Sequence, residues 1–339
     1  MSVPSVQRYS VRSNVIRVFS VWNLAILLVT LIVVFSLLKG DTFLTAFTFQ
    51  SMVNSRSINA LVALAVMIPL ASNNFDLSAA SILGISQVLA NGFQTQQGLP
   101  WQLACILCVT IGAFVGFING VLVTRARINS FIATLGTGTL LLGLNQWYTG
   151  GQQVVGVLPR EFVAIAGRIP HTGIPAVVLY VLLVVGVLWI VFDYLPLGRF
   201  LYIIGESPRA AELNGISPIR YVTLAFIASG ILAAFAGIIL QAQLQVGQST
   251  VGQELMLPAF TGALLGATAI RPGRPNVWGT ILAVAVLAVA VAGLTQLEAP
   301  FFVENLFNGA MLVLAVGLAG LTQRNRDRRN AAAAAKRAL

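Results

Sequence analysis

Residues 193–217 read DYLPLGRFLYIIGESPRAAELNGIS, a polar island between two long apolar runs. Within it Ser207 suits a helix N-cap and Pro208 the first helical position. Positions 209–214 are mostly helix formers, and Gly215 supplies a left-handed stop. Ile216 then falls where a C-terminal hydrophobic contact belongs. The spacing predicts a helix of about two turns, too short to be stable alone in water. The local sequence fits a surface presented for docking, and it also fits an ordinary interfacial connection. What flanks it decides the fold class.

Apolar residues form 57% of the 339-residue chain and charged residues 9%, with a mean hydropathy of +0.87. A soluble domain carries about a quarter charged residues, so the chain reads as an all-α, polytopic membrane protein. Barrel strands would alternate apolar and polar positions, whereas these runs are continuously apolar. Ten of them stand out: 22–38, 57–72, 76–93, 99–124, 129–148, 173–191, 220–241, 254–269, 277–295 and 303–321. The second, third and eighth are short against the roughly 20 residues a full span needs. A broken helix buried in protein tolerates a short span, so eight spans with re-entrant pieces fit the same run lengths as ten. Arg8, Arg12 and Arg17 precede the first run, which resembles a signal peptide. The run is long and no small-residue cleavage site follows, so it reads as a retained span.

Basic residues orient the chain. With the N-terminus inside and strict alternation, sixteen of the twenty Lys and Arg fall in inside segments. The outside segments hold Lys39, Arg56, Arg160 and Arg168. Both termini and the 193–217 island are therefore expected in the cytoplasm. The basic tail 322–339, which contains RNRDRR, reads as an orientation anchor that touches anionic lipid. The net charge of +10 is this orientation charge and no nucleic-acid stripe.

Chemistry-bearing side chains are few. Cys105 and Cys108 share one apolar run and read as small packing residues. His171 is the single histidine, which excludes a histidine-based metal centre. A nucleophile–base set is missing, so a membrane enzyme finds no support. There is no G-x-x-x-x-G-K-[ST] loop, and the lysines are Lys39 and Lys336 alone. Energy must come from a gradient or a partner. Asp76, Glu254 and Glu304 sit at segment ends, and no segment carries Arg or Lys at its centre. Ion-coupled carriers normally place ionisable groups along the path, which argues against one here. Asp76 reads as a cap for a helix whose first residue is Leu77. Neutral amides are plentiful at or near segment ends: Asn73, Asn74, Gln87, Asn91, Asn119, Asn145, Gln146, Gln241, Gln243 and Gln245. They suit a path for a neutral, hydroxyl-rich solute, and they equally suit interhelical hydrogen bonding. The ladders Gly112, Gly116, Gly120 and Ser229, Ala233, Gly237 read as packing seams.

These residues resemble a known family. GESPRAAELNGISPIRYVTLAFIASGILAAFAGIIL is similar to the cytoplasmic loop and following helix of ABC importer permeases of the ribose/xylose/galactose class. Their loop reads Glu-Ala-Ala, three residues, Gly. Ala210, Ala211 and Gly215 match it, and Arg209 stands at the Glu position. SNNFDLSAASILGIS resembles a Gly-Gly-Ile-Asp-Leu-Ser segment, with Asp76, Leu77 and Ser78 kept and Asn73 and Asn74 at the two glycines. INSFIATLGT followed by YTGGQ, and LLGATAIRPGRPNVWGT, resemble two further segments, the last departing at Arg271 and Pro272. The resemblance runs from about residue 54 to 321.

It implies one permease domain over 1–339, with an ATPase-coupling loop at 193–219. Glu206, Ser207, Pro208, Arg209, Ala210, Ala211 and Gly215 would contact the ATPase. Asn73, Asn74, Asp76, Ser78, Asn145 and Gln241 would line the solute path. The chain would bind no cofactor or metal and catalyse nothing, with ATP and Mg in a partner ATPase subunit or tandem ATPase. A periplasmic or extracellular solute-binding protein and a second permease, identical or paired, complete the implied assembly in a bacterial inner membrane. The solute would be a sugar or sugar-like molecule. Related branches take nucleosides, branched-chain amino acids or a furanose signal, and a gradient-driven carrier is the alternative from another class.

Overall fold

The computed structural model describes residues 11–169, 173–300 and 302–317. His171 and the 322–339 tail lie outside them. The helices follow in order: α1 (Val11–Phe43), α2 (Ala46–Leu70), α3 (Ser78–Thr95), α4 (Trp101–Thr124), α5 (Ser130–Thr149), α6 (Arg160–Ala164) and α7 (Ala176–Asp193). Then come α8 (Pro196–Glu206), α9 (Pro208–Leu213), α10 (Pro218–Leu244), α11 (Val251–Gly266) and α12 (Val277–Gln296). The last described helix is α13 (Phe302–Gly317). Two-residue strands β1 (Val154–Val155) and β2 (Val246–Gly247) pair antiparallel.

Over its described residues each of the ten apolar runs falls mainly on one helix, and among the described residues six helices are long and apolar enough to cross a membrane: α1 from Val21, α2, α4, α7, α10 and α12. The 57–72 run, read as short, is the buried part of a 25-residue helix. Its first turns carry Gln50, Ser51, Asn54 and Arg56, which hide the helix from a hydropathy reading. Thr45 starts it by accepting from the Thr48 N–H at 3.1 Å. Every residue of 57–70 is buried, as expected of a helix covered all round. By contrast α3, with 18 residues, and α11, with 16, stay short.

The small-residue ladder on α4 lets α10 approach to backbone contact. A Cβ on Gly112 would stand 2.4 Å from the Gly230 carbonyl oxygen, and one on Gly120 would stand 2.7 Å from Thr223 Cα. At Gly237 the same test meets the Leu83 carbonyl oxygen on α3 at 2.4 Å. Small residues allow this close van der Waals packing where lipid supplies no hydrophobic drive between helices. Both ladders therefore act as seams, with α10 resting on α3 and α4.

Cross-links sort the helix ends into two layers. At one end Asp193 pairs with Arg271, Glu206 with Arg274, and the Tyr202 hydroxyl donates to the Pro275 carbonyl at 2.6 Å. At the other, β1 meets β2, Arg56 pairs with Glu304 at 3.1 Å, and Gln97 donates to the Tyr148 hydroxyl at 3.0 Å. Successive apolar helices run between these layers in alternating directions.

Candidate functional site

The short helix in the island forms as its caps dictate. The Ser207 hydroxyl accepts from the Ala210 N–H at 3.2 Å, and Pro208 opens α9. At the far end Gly215 adopts φ +76°. The Gly215 N–H donates to Glu212 O at 2.9 Å and the Ile216 N–H to Ala211 O at 3.0 Å. That pair of bonds is the Schellman closure. Ala211 is fully buried in a cluster with Ile204, Val222 and Phe226, against which Ile216 packs. Arg209, Ala210, Glu212 and Leu213 face outward, Leu213 with 75% of its surface accessible. One side chain anchors the helix, and most of its remaining surface is exposed.

Ahead of it stands a second short helix, α8. Pro196 opens α8, and Gly198, Leu201 and Ile204 form its buried stripe. The signal was present: a proline at N1 followed by apolar residues at helical spacing. At Gly205 a Cβ would stand 2.8 Å from the Ala71 carbonyl oxygen, so α8 lies directly on the 71–77 backbone. Asn73, at φ +60°, and Glu206 line a cavity of about 390 Å³ between that loop, α8, the 267–276 loop and α13. Tyr202 borders the cavity. Burial pushes its phenol up to about 12, so it stays neutral and keeps donating to Pro275.

A buried polar chain begins at the same loop. Asp76 is fully buried. Its Oδ1 accepts from the Ser78 N–H at 3.1 Å and the Ser78 hydroxyl at 2.6 Å. Its Oδ2 accepts from the Ser229 hydroxyl on α10 at 2.7 Å. Asn119 on α4 donates to Ser78 Oγ at 2.7 Å and accepts from Thr137 on α5 at 2.8 Å. Thr134 and Ser130 of α5 accept from the N–H groups of Leu77 and Phe75, at 3.0 and 3.1 Å. The helix starts one residue later than expected, with Leu77 at the N-cap position, and Asp76 binds its first N–H from just outside; Asp76 also fastens α3 to α10, with α4 and α5 joined through Ser78. Asn74 turns away and donates to Ser72 O at 2.9 Å.

The remaining amides gather at the opposite end. Oriented to satisfy both of its atoms, the Gln241 amide donates to the Gln87 and Val246 carbonyls at 3.1 and 3.2 Å and accepts from Asn91 at 2.6 Å. Gln87 accepts from the Gln248 N–H at 3.0 Å, and Asn91 donates to Val154 O at 3.1 Å. Asn145 donates to Ser249 O at 3.2 Å, while its buried Oδ1 has no protein partner among the described residues. These side chains hold the 245–249 backbone and the β ribbon. The six path candidates therefore fall into two layers, one around Asp76 and one around Gln241. From Ser78 to Gln87 along α3 they stand about 14 Å apart at 1.5 Å per residue. Neither layer holds a group of three or more His, Cys, Asp or Glu side chains among the described residues.

A family model described as branched-chain amino acid transport system / permease component matches residues 48–316. The chain is 32% identical over 283 residues to the ribose import permease protein RbsC of Bacillus subtilis, spanning 84% of this chain and 87% of that protein. It is 28% identical to the fructose import permease protein FrcC of Rhizobium meliloti over 275 residues, 79% of this chain and 76% of that one. To the autoinducer 2 import system permease protein LsrD of Escherichia coli K12 it is 29% identical over 258 residues, 75% and 78% of the two chains. No solved structure matches.

Proposed function

The chain belongs to the family of branched-chain amino acid transport system permease components, and from that premise we propose that it is the membrane-spanning subunit of an ABC importer for a sugar or sugar-like solute. The observation that carries the reading is α9, a two-turn helix closed at both ends, anchored by buried Ala211 and otherwise exposed. A helix that short is held by its caps and its anchor, so it is built for presentation. A cytoplasmic ATPase, a single subunit or a tandem one, docks on Glu206, Ser207, Pro208, Arg209, Ala210, Ala211 and Gly215. ATP and Mg act in that partner. An external binding protein delivers the solute to the opposite face, the one that carries the β ribbon. A second permease, identical or paired, completes the path in a bacterial inner membrane, with ten spans and both termini cytoplasmic.

In this reading ATP closure of the ATPase pair moves α9. Movement passes to α10, to which α9 is joined through the four-residue connection 214–217, and to the 71–77 loop through the contact at Gly205. The Asp76 network then carries it into α3, α4 and α5. Relatives named for ribose and fructose import make those sugars the first solutes to test. Permease, ATPase and binding protein reconstituted in liposomes should take up one of them only with ATP, and continue after all ion gradients are collapsed. Uptake that follows an ion gradient and ignores ATP would replace this reading with a secondary carrier.

A further inference from the structure

Arg271 and Pro272 depart from the family-like segment around them, and the structure gives the departure a place. Helices α8 and α9 pack on α7 and α10. Their link to α11 and α12 is made by side chains of the 267–276 loop. Arg271 reaches Asp193 at the end of α7. Arg274 reaches Glu206 at the end of α8 and lies over the Tyr202 ring, 5.7 Å from its centroid. Tyr202 returns a hydrogen bond to Pro275 O.

The loop is itself tied down. Asn276 caps α12 by accepting from the Gly279 N–H at 2.8 Å. The same amide donates to Gly266 O and Ala269 O at 3.3 and 3.1 Å, closing the end of α11. The Ile270 N–H donates to Val21 O of α1 at 2.9 Å. The Glu206–Arg274 pair is half-exposed and contributes little to stability, while Asp193 is largely covered beneath Arg271; on so constrained a loop the two pairs bear on geometry.

We propose that Arg271 and Arg274 are positioning residues for energy coupling: through Asp193 at the end of α7 and Glu206 at the end of α8 they latch the α7–α8–α9 arm to the 267–276 loop, so that α11 and α12 move with the docking helix. This rests on the reading of α9 as the ATPase-docking helix and adds a second output to it. By this route force applied at α9 reaches α1, α11 and α12 as well as α10. The Asp193–Arg271 pair is the cleaner one to perturb, because it lies away from α9.

The test places spin labels at Asn214 and Pro272 in the full-length permease in lipid nanodiscs, with Cys105 and Cys108 replaced by alanine. Distances are read for the permease alone and with its co-purified ATPase under ATP and vanadate. The latch predicts one narrow distance that ATP and vanadate leave unchanged. Arg271→Glu should broaden it, Arg271→Glu with Asp193→Arg should restore it, and Arg271→Lys should resemble wild type. A purely structural loop would not regain the narrow distance on exchanging the charges. A distance that stays narrow in Arg271→Glu, or that stays broad in the exchanged pair, would overturn the latch. Docking is scored separately by ATPase retention, which Leu213→Glu should abolish. Retention by that variant would sink the docking reading whatever the distances show.

Discussion

Asp76 ties α3 to α10 through a carboxylate that is fully buried. Three donors converge on its carboxylate, from Ser78 twice and from Ser229 once, with no water-accessible surface left. Asp76→Asn keeps the oxygen that accepts from Ser78. Its amide can donate to Ser229 Oγ once that hydroxyl rotates, so the loss is of charge-assisted strength, about 1 kcal/mol. Asp76→Leu leaves both serine hydroxyls buried without their acceptor, at roughly 1–3 kcal/mol for each orphaned group. The Asn variant should melt near wild type in detergent and keep most of its transport, whereas the Leu variant should lose both. An Asn variant that folds normally and transports nothing would make Asp76 an ionisable participant in the path. The sequence marked this residue because a carboxylate beside an apolar run is conspicuous. Its partners Ser229, Asn119 and Thr137 carry no such mark, since they lie 153 and 41 residues from Asp76 or Ser78, or join only through Asn119.

Elements were legible where their causes are local. The N-cap, proline and glycine that bound α9 act within ten residues, and all three serve as read. Gly215 holds φ +76° with open space around its Cα, so a larger residue there meets strain and no collision. Gly215→Val should cost roughly 1–2 kcal/mol for a β-branched residue in the left-handed region. That is enough to unwind the Schellman closure and turn α9 off its axis. Membrane insertion should be normal, while stimulation of the ATPase by the binding protein falls. Unchanged stimulation would remove α9 from the coupling route. The β ribbon was illegible for the opposite reason: two residues at 154–155 and two at 246–247 have no strand pattern of their own. They pair because Asn91, Gln87 and Gln241 bring the two backbones together. The early turns of α2 are hidden from a hydropathy reading by Gln50, Ser51, Asn54 and Arg56.

At the scale of the molecule, the arginine bias and the two-layer sorting of helix ends are independent observations that make one statement. The bias comes from twenty charges along the chain; the sorting comes from contacts across it. Both put the loop that holds β1 on the side opposite to α9, and both put the 267–276 loop on the same side as α9. Gln153, next to β1, and Asn214, at the end of α9, are exposed. Single cysteines there, in a background with Cys105 and Cys108 replaced by alanine, should react with a membrane-impermeant maleimide from opposite faces. In intact cells stripped of their outer wall, Gln153→Cys should label at once and Asn214→Cys only after the membrane is opened. A third cysteine at Pro272 should behave as Asn214→Cys does, because the ion pairs to Asp193 and Glu206 fix its side. Labelling of Gln153→Cys and Asn214→Cys from one face would break the alternation itself. Labelling of each from the face opposite to that expected would keep the fold, reverse its orientation, and place α9 where no ATPase can reach it.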